Sequence, residues 1–258
     1  MEKRFTRTEL LLGKEALNRL AASTVAIAGL GGVGGYAAEA LVRCGVGYVR
    51  LIDFDQIKYS NFNRQILALE DSLGKRKVDV AEMRLKQINP DCIIDKRPFF
   101  IDQSNAAELI DGVDVVIDAI DSVSSKVSLL VQAVTDGKLV VSSMGAAARM
   151  DPLQVRTGDI SESRICPLAR IIRKRLHRRN VYTGIRCVYS VEAVDTAKVS
   201  EMDDEESFQR GRARPSLGSI SYMPAVFGLV AAHEAIRLLV DRTGEGREAV
   251  TNLAAGSF

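Results

Sequence analysis

The 258-residue chain contains no tryptophan and only 5% aromatic residues, whereas glycine and small aliphatic residues are plentiful. This composition favours a parallel sheet covered by helices over an all-β sandwich, because parallel strands buried on both faces are rich in aliphatic side chains. Hydrophobic residues make up 47% of the chain, which is enough for a sizeable core. The composition therefore predicts a globular α/β protein.

The chain also lacks paired cysteines and long apolar runs. Its four cysteines are scattered and form no C-x-x-C pair: Cys44, Cys92, Cys166 and Cys187. The sequence therefore predicts neither a zinc site nor a disulfide framework. The N-terminal residues mix charged and apolar side chains, unlike a secretory signal, and no unbroken apolar run reaches the ~18 residues of a membrane span. We expect a cytoplasmic protein without a membrane span.

The net charge is only +2, but it is unevenly distributed. Residues 164–180 contain seven cations and no acid: Arg164, Arg170, Arg173, Lys174, Arg175, Arg178 and Arg179. Residues 201–206 contain five acidic residues within a polar stretch, which we interpret as part of a mobile loop at about residues 195–217. The basic stretch predicts a cationic face for an anionic partner, and an ordinary solvated helix face is the alternative.

Strand and helix patterns alternate in the first half of the chain. Apolar runs typical of buried strands occur at residues 24–28, 48–52, 113–117 and 139–142. Helical patterns occur between them, notably at residues 34–44 and 75–88. Such alternation predicts βαβ units and a Rossmann-like, doubly wound, mostly parallel sheet.

The second half of the chain is less regular. Residues 154–157 and 186–194 are predicted strands, and residues 223–239 form one long apolar helical pattern. We expect this C-terminal part to complete the sheet that the first half begins.

The first predicted strand runs directly into a glycine-rich turn, VAIAGLGGVGG. Gly29, Gly31 and Gly34 match G-x-G-x-x-G, in which backbone N–H groups approach phosphate oxygens at the positive end of a helix, and Gly32 lies in the same turn. Asp53 ends the second strand, where a carboxylate typically binds ribose hydroxyls. The motif predicts a nucleotide site; the alternative is that the glycines only pack the helix against the strand.

Charged residues beyond the second strand favour a nucleoside triphosphate over a nicotinamide nucleotide. Arg64 and Lys77 would concentrate positive charge near a polyphosphate, whereas a nicotinamide ring needs a neutral bed. After the next strand, Asp121 stands where a carboxylate can hold Mg²⁺ between phosphates. Alone, the two cations could be solvated surface residues and Asp121 a helix N-cap. Together they predict triphosphate chemistry at one crevice.

These motifs resemble the superfamily of adenylating enzymes that includes ubiquitin-activating enzymes and the bacterial thiamine and molybdopterin carrier-protein adenylyltransferases. GLGGVGG, LIDFD, SNFNRQ, GKRKV and DAIDS occur in the order of that superfamily, within residues 4–145. The resemblance implies that Arg64, Lys77 and Asp121 are catalytic, with Asp121 coordinating Mg²⁺ through the phosphates. The ATP-binding set that it implies is Gly29, Gly31, Gly32, Gly34, Asp53, Asp55, Asn61, Arg64, Gln65, Lys77 and Asp121.

The same resemblance implies a homodimer in which Arg7 of one subunit reaches the ATP site of its neighbour. We therefore expect one domain over residues 1–258. Within it, residues 1–22 would form an N-terminal helical arm, residues 23–150 the nucleotide-binding core, and residues 151–258 the part that contacts substrate and the second subunit.

Other segments resemble one branch of this superfamily, the tRNA threonylcarbamoyladenosine dehydratases. RFTRTELLLG, DAIDSVSSKVSL, RMDP, RCVYSVE and GSISYMPAVFGL carry this resemblance, which spans nearly the whole chain. It implies ATP-dependent cyclisation of the threonylcarbamoyl group on the adenosine next to the tRNA anticodon, after ATP activates its carboxylate. The basic stretch would then bind tRNA phosphates. A monovalent cation near the site and a sulfur-transfer protein partner are further possibilities; neither zinc nor DNA is expected.

Three other functions remain open. An adenylyltransferase for a small sulfur-carrier protein would share the whole ATP site, although such enzymes generally carry two C-x-x-C pairs that this chain lacks. A non-catalytic nucleotide-binding scaffold would have no need of Asp53, Arg64, Lys77 and Asp121 together. A dehydrogenase is the least favoured alternative, because the site lacks the neutral surroundings that a nicotinamide ring needs.

Cys187 allows two interpretations. By analogy with relatives that use a cysteine it could form a thioester or a persulfide, whereas its apolar neighbours favour a buried structural cysteine. The second interpretation is preferred.

Overall fold

The computed structural model describes residues 3–194 and 217–241. The predicted loop at about 195–217 thus lies outside the described residues, apart from Leu217, and so do the last 17 residues, 242–258. The α-helices are α1 (Thr6–Leu12), α2 (Lys14–Ala22), α3 (Gly34–Arg43), α4 (Lys77–Ile88), α5 (Ala106–Ile110), α6 (Val123–Thr135), α7 (Pro167–His177) and α8 (Tyr222–Val240). The strands are β1 (Thr24–Ala28), β2 (Tyr48–Ile52), β3 (Ile93–Arg97), β4 (Val115–Asp118), β5 (Leu139–Ser143), β6 (Val155–Asp159) and β7 (Arg186–Ser190).

The seven strands form one sheet in the order β3-β2-β1-β4-β5-β7-β6. All neighbouring strands are parallel except β6, which pairs with β7 in antiparallel orientation at the sheet edge. Because the chain passes from β3 on one edge back to β4 beside β1, the sheet is doubly wound, as predicted. Strands β6 and β7 from the second half extend the sheet, which confirms that the C-terminal part completes it.

Helices cover both faces of the sheet. Alternate residues of β1 face opposite ways: Val25 and Ile27 pack with residues of α3, α4 and α8, whereas Ala26 and Ala28 pack with residues of α5, α6 and α7. Parallel strands β1, β2 and β4 therefore end at a common edge between two helical layers. A doubly wound sheet binds ligands at this edge, beside the point where the strand order reverses.

Several element boundaries differ from the sequence predictions. The predicted strand at 113–117 is Val115–Asp118, so that Asp118 belongs to the strand. The helix predicted from residue 75 begins at Lys77, because Arg76 still forms an extended bridge with Gln56. Strand β3 was not predicted, since its sequence IIDKR carries charged side chains at a sheet edge.

The two late strands also differ from their predicted bounds. The prediction at 154–157 is replaced by Val155–Asp159, and the strand predicted to reach residue 194 ends at Ser190. There the Glu192 N–H donates to Ser190 Oγ at 3.0 Å and turns the chain away from the sheet.

Helix α8 is the one described helix that is long and apolar enough to cross a membrane by length and composition. Half of its apolar window is buried inside the protein. Phe227, Ala231 and Leu239 lie in the core, and a β-carbon at Gly228 would lie 2.3 Å from Val33 O of the turn before α3. Close packing of this kind is typical of a core helix, and a core helix can be as long and as apolar as a membrane-spanning one.

Candidate nucleotide-binding site

The glycine-rich turn follows β1 and begins α3. Gly29 has φ 89°, a conformation that favours glycine, and a β-carbon at position 29 would lie 2.7 Å from Ala119 O. A β-carbon at Gly34 would lie only 1.8 Å from Gly29 O, so the first turn of α3 packs directly on the loop. At Gly31, by contrast, the nearest atom is Gln65 Nε2 at 3.8 Å. Gly29 and Gly34 therefore allow close packing around the turn, whereas Gly31 leaves the outer face of the turn open.

Asp53 fixes the glycine-rich turn to the end of β2. Its side chain is 8% exposed, and its oxygens accept hydrogen bonds from Leu30 N at 2.6 Å and Asp55 N at 2.8 Å. Burial raises the pKa of Asp53, and the neighbouring Lys77 ammonium opposes that rise. A carboxylate has about four lone-pair positions, so two remain for a further donor such as a ribose hydroxyl.

Lys77 brings a buried positive charge to the same edge. It is 5% exposed at the start of α4, and its Nζ donates to Asp55 Oδ2 at 2.9 Å. Burial lowers the pKa of Lys77, but the carboxylates of Asp53, Asp55 and Asp121 outweigh it and leave the pKa raised. Lys77 therefore carries its charge at neutral pH. Asp121 is among the carboxylates whose negative charge raises the pKa of Lys77.

The segment after β2 places Arg64 against the glycine-rich turn. A β-carbon at Gly32 would lie 3.2 Å from Arg64 O and 3.0 Å from Pro224 Cβ. Arg64 Nη1 donates to Ser60 O at 2.8 Å and to Asn63 Oδ1 at 2.8 Å. These bonds hold the guanidinium beside the segment that carries it.

Two further predicted residues of this segment are buried. Asn61 Oδ1 accepts a hydrogen bond from Lys58 N at 3.1 Å, so Asn61 shapes the turn. Gln65 is 7% exposed, and its Oε1 has no hydrogen-bond partner among the described residues. An orphaned buried oxygen beside Gly31 is the kind of group that a bound molecule or water satisfies.

Asp121 lies between β4 and α6. Helix α6 begins at Val123 and its N-cap residue is Ser122, so Asp121 does not occupy the N-cap position. Among the described residues there is no cluster of three His, Cys, Asp or Glu side chains that could hold a metal alone. Mg²⁺ in phosphate-transfer sites typically needs only one or two carboxylates, with phosphate oxygens and water as its other ligands. Asp121 fits such a site.

The sequence reasoning missed a buried ion pair next to Asp121. Lys126 Nζ lies 2.7 Å from Asp118 Oδ2, and both side chains are fully buried. Ser142 Oγ donates to the same oxygen at 2.6 Å. The signal was present in the sequence: Asp118 opens the DAID motif, and Lys126 is the only charged residue in helix α6.

A second missed feature closes the site from the C-terminal half. Residues 217–221 precede α8 and contact both the nucleotide segment and the loop after β5. Asn63 Nδ2 donates to Ser219 O at 3.2 Å, and Ala148 N donates to Gly218 O at 2.7 Å. The nucleotide crevice and the loop after β5 therefore share one wall.

The basic stretch forms helix α7 and its flanks. Arg173 is half-buried, and its Nη1 donates to Ser163 O at 2.6 Å and to Ser163 Oγ, so it fixes the turn before the helix. The other six cations are exposed: Arg164, Arg170, Lys174, Arg175, Arg178 and Arg179. A β-carbon at Gly145 would lie 3.8 Å from Leu168 Cβ, so α7 begins beside the loop after β5.

Cys187 and Arg7 are the last two residues that were predicted for the site. Cys187 is fully buried in β7, and burial raises the pKa of its thiol far above the usual range, although the Lys126 ammonium opposes this. A thiol without thiolate character is a poor nucleophile, so the structure favours the structural interpretation. Arg7 is exposed on α1, and its role in a neighbouring subunit stays a prediction.

Comparison with known proteins identifies the family of this chain. The ThiF family model matches residues 5–256. A tRNA threonylcarbamoyladenosine dehydratase of Bacillus subtilis is 36% identical over 247 residues, which is 93% of this chain and 96% of that protein. Crystal structures of the Escherichia coli tRNA N6-threonylcarbamoyladenosine dehydratase TcdA in complex with ATP and with AMP match with a TM-score of 0.81 and 34% identity, over 92% of this chain and 93% and 94% of theirs. The chain belongs to the ThiF family and, within it, to the tRNA threonylcarbamoyladenosine dehydratases.

Proposed function

We propose that this chain uses ATP and Mg²⁺ to cyclise threonylcarbamoyladenosine in tRNA. The observation that carries the proposal is the hydrogen bond that Leu30 N of the glycine-rich turn donates to Asp53, with the Lys77 ammonium near enough for the carboxylates of Asp53 and Asp121 to raise its pKa. Dehydratases of this name that cover nearly the whole chain support it, as does a relative of known structure that binds ATP and AMP.

The chemistry requires activation followed by ring closure. The substrate carboxylate attacks the α-phosphorus of ATP, forming an acyl-adenylate and releasing pyrophosphate. A nitrogen of the same threonylcarbamoyl group then attacks the activated carbonyl, loses its proton, and expels AMP. The oxygen that leaves the substrate departs with AMP, so the nucleoside loses the elements of water. This makes the protein a ligase-type cyclase that needs no nucleophile of its own.

The residues of the crevice would bind and orient ATP and neutralise its charge. Backbone N–H groups of the glycine-rich turn would hold phosphate oxygens, and Asp53 would accept from the ribose hydroxyls. Lys77 and Arg64 would stabilise charge that develops on the phosphates, and Asp121 would hold Mg²⁺ with the phosphate oxygens. Bound Mg²⁺ supplies further charge neutralisation there.

Formation of AMP tests this reaction. The protein with ATP, Mg²⁺ and tRNA that carries threonylcarbamoyladenosine should produce AMP and pyrophosphate. Chelation of Mg²⁺ should stop the reaction, and added Mg²⁺ should restore it. Turnover that requires a carrier protein ending in Gly-Gly, and not the tRNA, would instead identify a carrier-protein adenylyltransferase.

The six exposed cations of the basic stretch would bind tRNA phosphates. Replacing Arg170, Lys174 and Arg178 by alanine removes three of them from one side of α7. The plot of log affinity against log salt concentration should flatten by about 1 for each phosphate that the variant no longer neutralises, with ATP affinity unchanged. Filter binding at several salt concentrations measures the slope.

A matched variant separates a specific surface from net charge. Arg43, Lys86 and Lys138 carry the same total charge but lie on other elements, so their triple replacement by alanine should leave the slope unchanged. Equal flattening by both triple variants would show that α7 is not the tRNA-binding surface.

We extend the proposal to a homodimer with Arg7 acting on the neighbouring site. Leu10 and Leu11 on the same helix are 82% and 83% exposed, which supports an apolar subunit contact at α1. Mixing an Arg7→Ala protein with a Lys77→Met protein under subunit exchange should then restore about a quarter of wild-type turnover, because half of the dimers contain one intact site. If the mixed protein sediments as a dimer but recovers no turnover, Arg7 does not act on the site of the neighbouring subunit.

Cys187 has no part in this chemistry. We expect Cys187→Ala to keep turnover within about twofold of wild type, because a fully buried thiol cannot reach the substrate. Steady-state assays and iodoacetamide treatment of the native protein measure this. A loss of turnover in a variant with wild-type stability would revive the covalent interpretation. A monovalent cation, a sulfur-transfer partner and a cytoplasmic location stay predictions.

A further inference from the structure

The buried ion pair beneath the site is unusual. Lys126 and Asp118 are both 0% exposed, and Lys126 is the largest fully buried side chain among the described residues. Taking two charges out of water costs about as much as their attraction returns, so a pair of apolar residues would hold the fold at least as well. Stability alone therefore does not explain the pair.

The contacts of the pair converge on the turn that carries Asp121. Lys126 Nζ donates to Ile120 O at 3.1 Å, one residue before Asp121. Asp118 Oδ1 accepts from Ile120 N at 3.1 Å, while its other oxygen accepts from Ser142 Oγ. The peptide groups on both sides of Ile120 are thus tied to the ion pair.

The other side of the turn touches the glycine-rich loop. Ala119 N donates to Ala28 O at 2.8 Å, and a β-carbon at Gly29 would lie 2.7 Å from Ala119 O. Residues 118–121 are therefore held between the nucleotide loop and the buried pair, with little room to shift. A change in the ion pair would move this turn relative to Lys77, whose pKa is raised by the negative charge of Asp121.

We propose that Lys126 is a positioning residue that holds the 118–121 turn through Asp118 and Ile120, and so sets where Asp121 meets the magnesium–nucleotide complex. This inference deepens the proposed function and rests on it. Lys126 is fully buried and does not touch the ligand, so it acts only through the turn.

The test compares ATP affinity with and without Mg²⁺ by calorimetry. The double variant Lys126→Met, Asp118→Asn removes the charges together and keeps the volume, so no unpaired charge is left in the core. The gain in ATP affinity that Mg²⁺ provides should fall about tenfold or more, as for other residues that orient a metal ligand. Affinity without Mg²⁺ should change less than about threefold, because Asp121 then has no cation to bind.

A partly buried ion pair between Glu234 and Arg186, whose side chain is 32% exposed, provides the control. Glu234 on α8 is 3% exposed and lies 2.7 Å from Arg186 on β7, away from the 118–121 turn. The variant Glu234→Gln, Arg186→Met also loses an ion pair and should keep the full Mg²⁺ gain.

The outcomes separate this inference from the proposed function. If the wild-type protein binds ATP no better with Mg²⁺ than without it, the proposed site itself is wrong. If the wild type shows the gain and the folded neutral variant shows the same gain, Lys126 does not position Asp121.

Discussion

Replacing Lys77 by methionine is expected to lower ATP-dependent turnover by about two to three orders of magnitude, the usual cost of removing one preorganised group that stabilises transition-state charge. Lys77 Nζ is the buried cation of the crevice, 2.9 Å from Asp55 Oδ2 and within the fields of Asp53 and Asp121. Methionine keeps the length and the apolar stem of the side chain. The variant therefore removes the positive charge of Lys77 and leaves the neighbouring carboxylates facing the triphosphate.

Steady-state assays and calorimetry with ATP measure this effect. Lys86→Met removes the same charge from the other end of α4, where Nζ donates only to Pro90 O, and should keep turnover within about twofold. Thermal unfolding of both variants shows whether the assay temperature is well below the transition. A folded Lys77→Met protein that loses less than about tenfold would contradict the role given to Lys77.

Gly34→Ala is expected to abolish detectable ATP binding and to destabilise the protein by about 3 kcal/mol, within the range for forced overpacking. A β-carbon at position 34 would lie 1.8 Å from Gly29 O and 3.3 Å from Ile27 Cγ2, and backbone cannot move aside as a flexible side chain can. Helix α3 would have to withdraw from β1. The turn would then lose the shape that aims its N–H groups at phosphate.

Gly31→Ala distinguishes packing from ligand approach. The nearest atom to a β-carbon there is Gln65 Nε2 at 3.8 Å, an ordinary contact, so the free energy of unfolding in urea should stay within about 0.5 kcal/mol of wild type. ATP affinity should still fall, because the new methyl group lies on the open face of the loop.

A Gly34→Ala protein as stable as wild type would show that α3 does not pack on the turn as described.

Much of the nucleotide site could be predicted because its parts are local in sequence. The glycine spacing, the carboxylate at the end of β2 and the order of strands and helices all depend on short stretches with fixed periodicity. The structure confirms the doubly wound sheet, and the carboxylates of Asp53 and Asp121 lie near enough to Lys77 to raise its pKa.

The missed features depend on contacts between distant residues. Strand β3 has no apolar run because it lies at a sheet edge and pairs its charges, as Asp95 does with Arg50 at 2.7 Å. The DAID motif and the lone charged residue of α6 single out Asp118 and Lys126, but charged residues are rarely buried without a partner and the partner cannot be read from one sequence. The wall formed by residues 217–221 joins segments about 70 and 150 residues away, which no local pattern reveals.

The most direct measurement is mass spectrometry of the nucleoside itself. The protein would be incubated with ATP, Mg²⁺ and tRNA that carries threonylcarbamoyladenosine, and the tRNA would then be digested to nucleosides. We predict that this nucleoside loses the mass of one water with the wild-type protein and keeps its mass without ATP or with Lys77→Met. An unchanged nucleoside, with pyrophosphate exchange appearing only on addition of a carrier protein that ends in Gly-Gly, would contradict the proposed reaction.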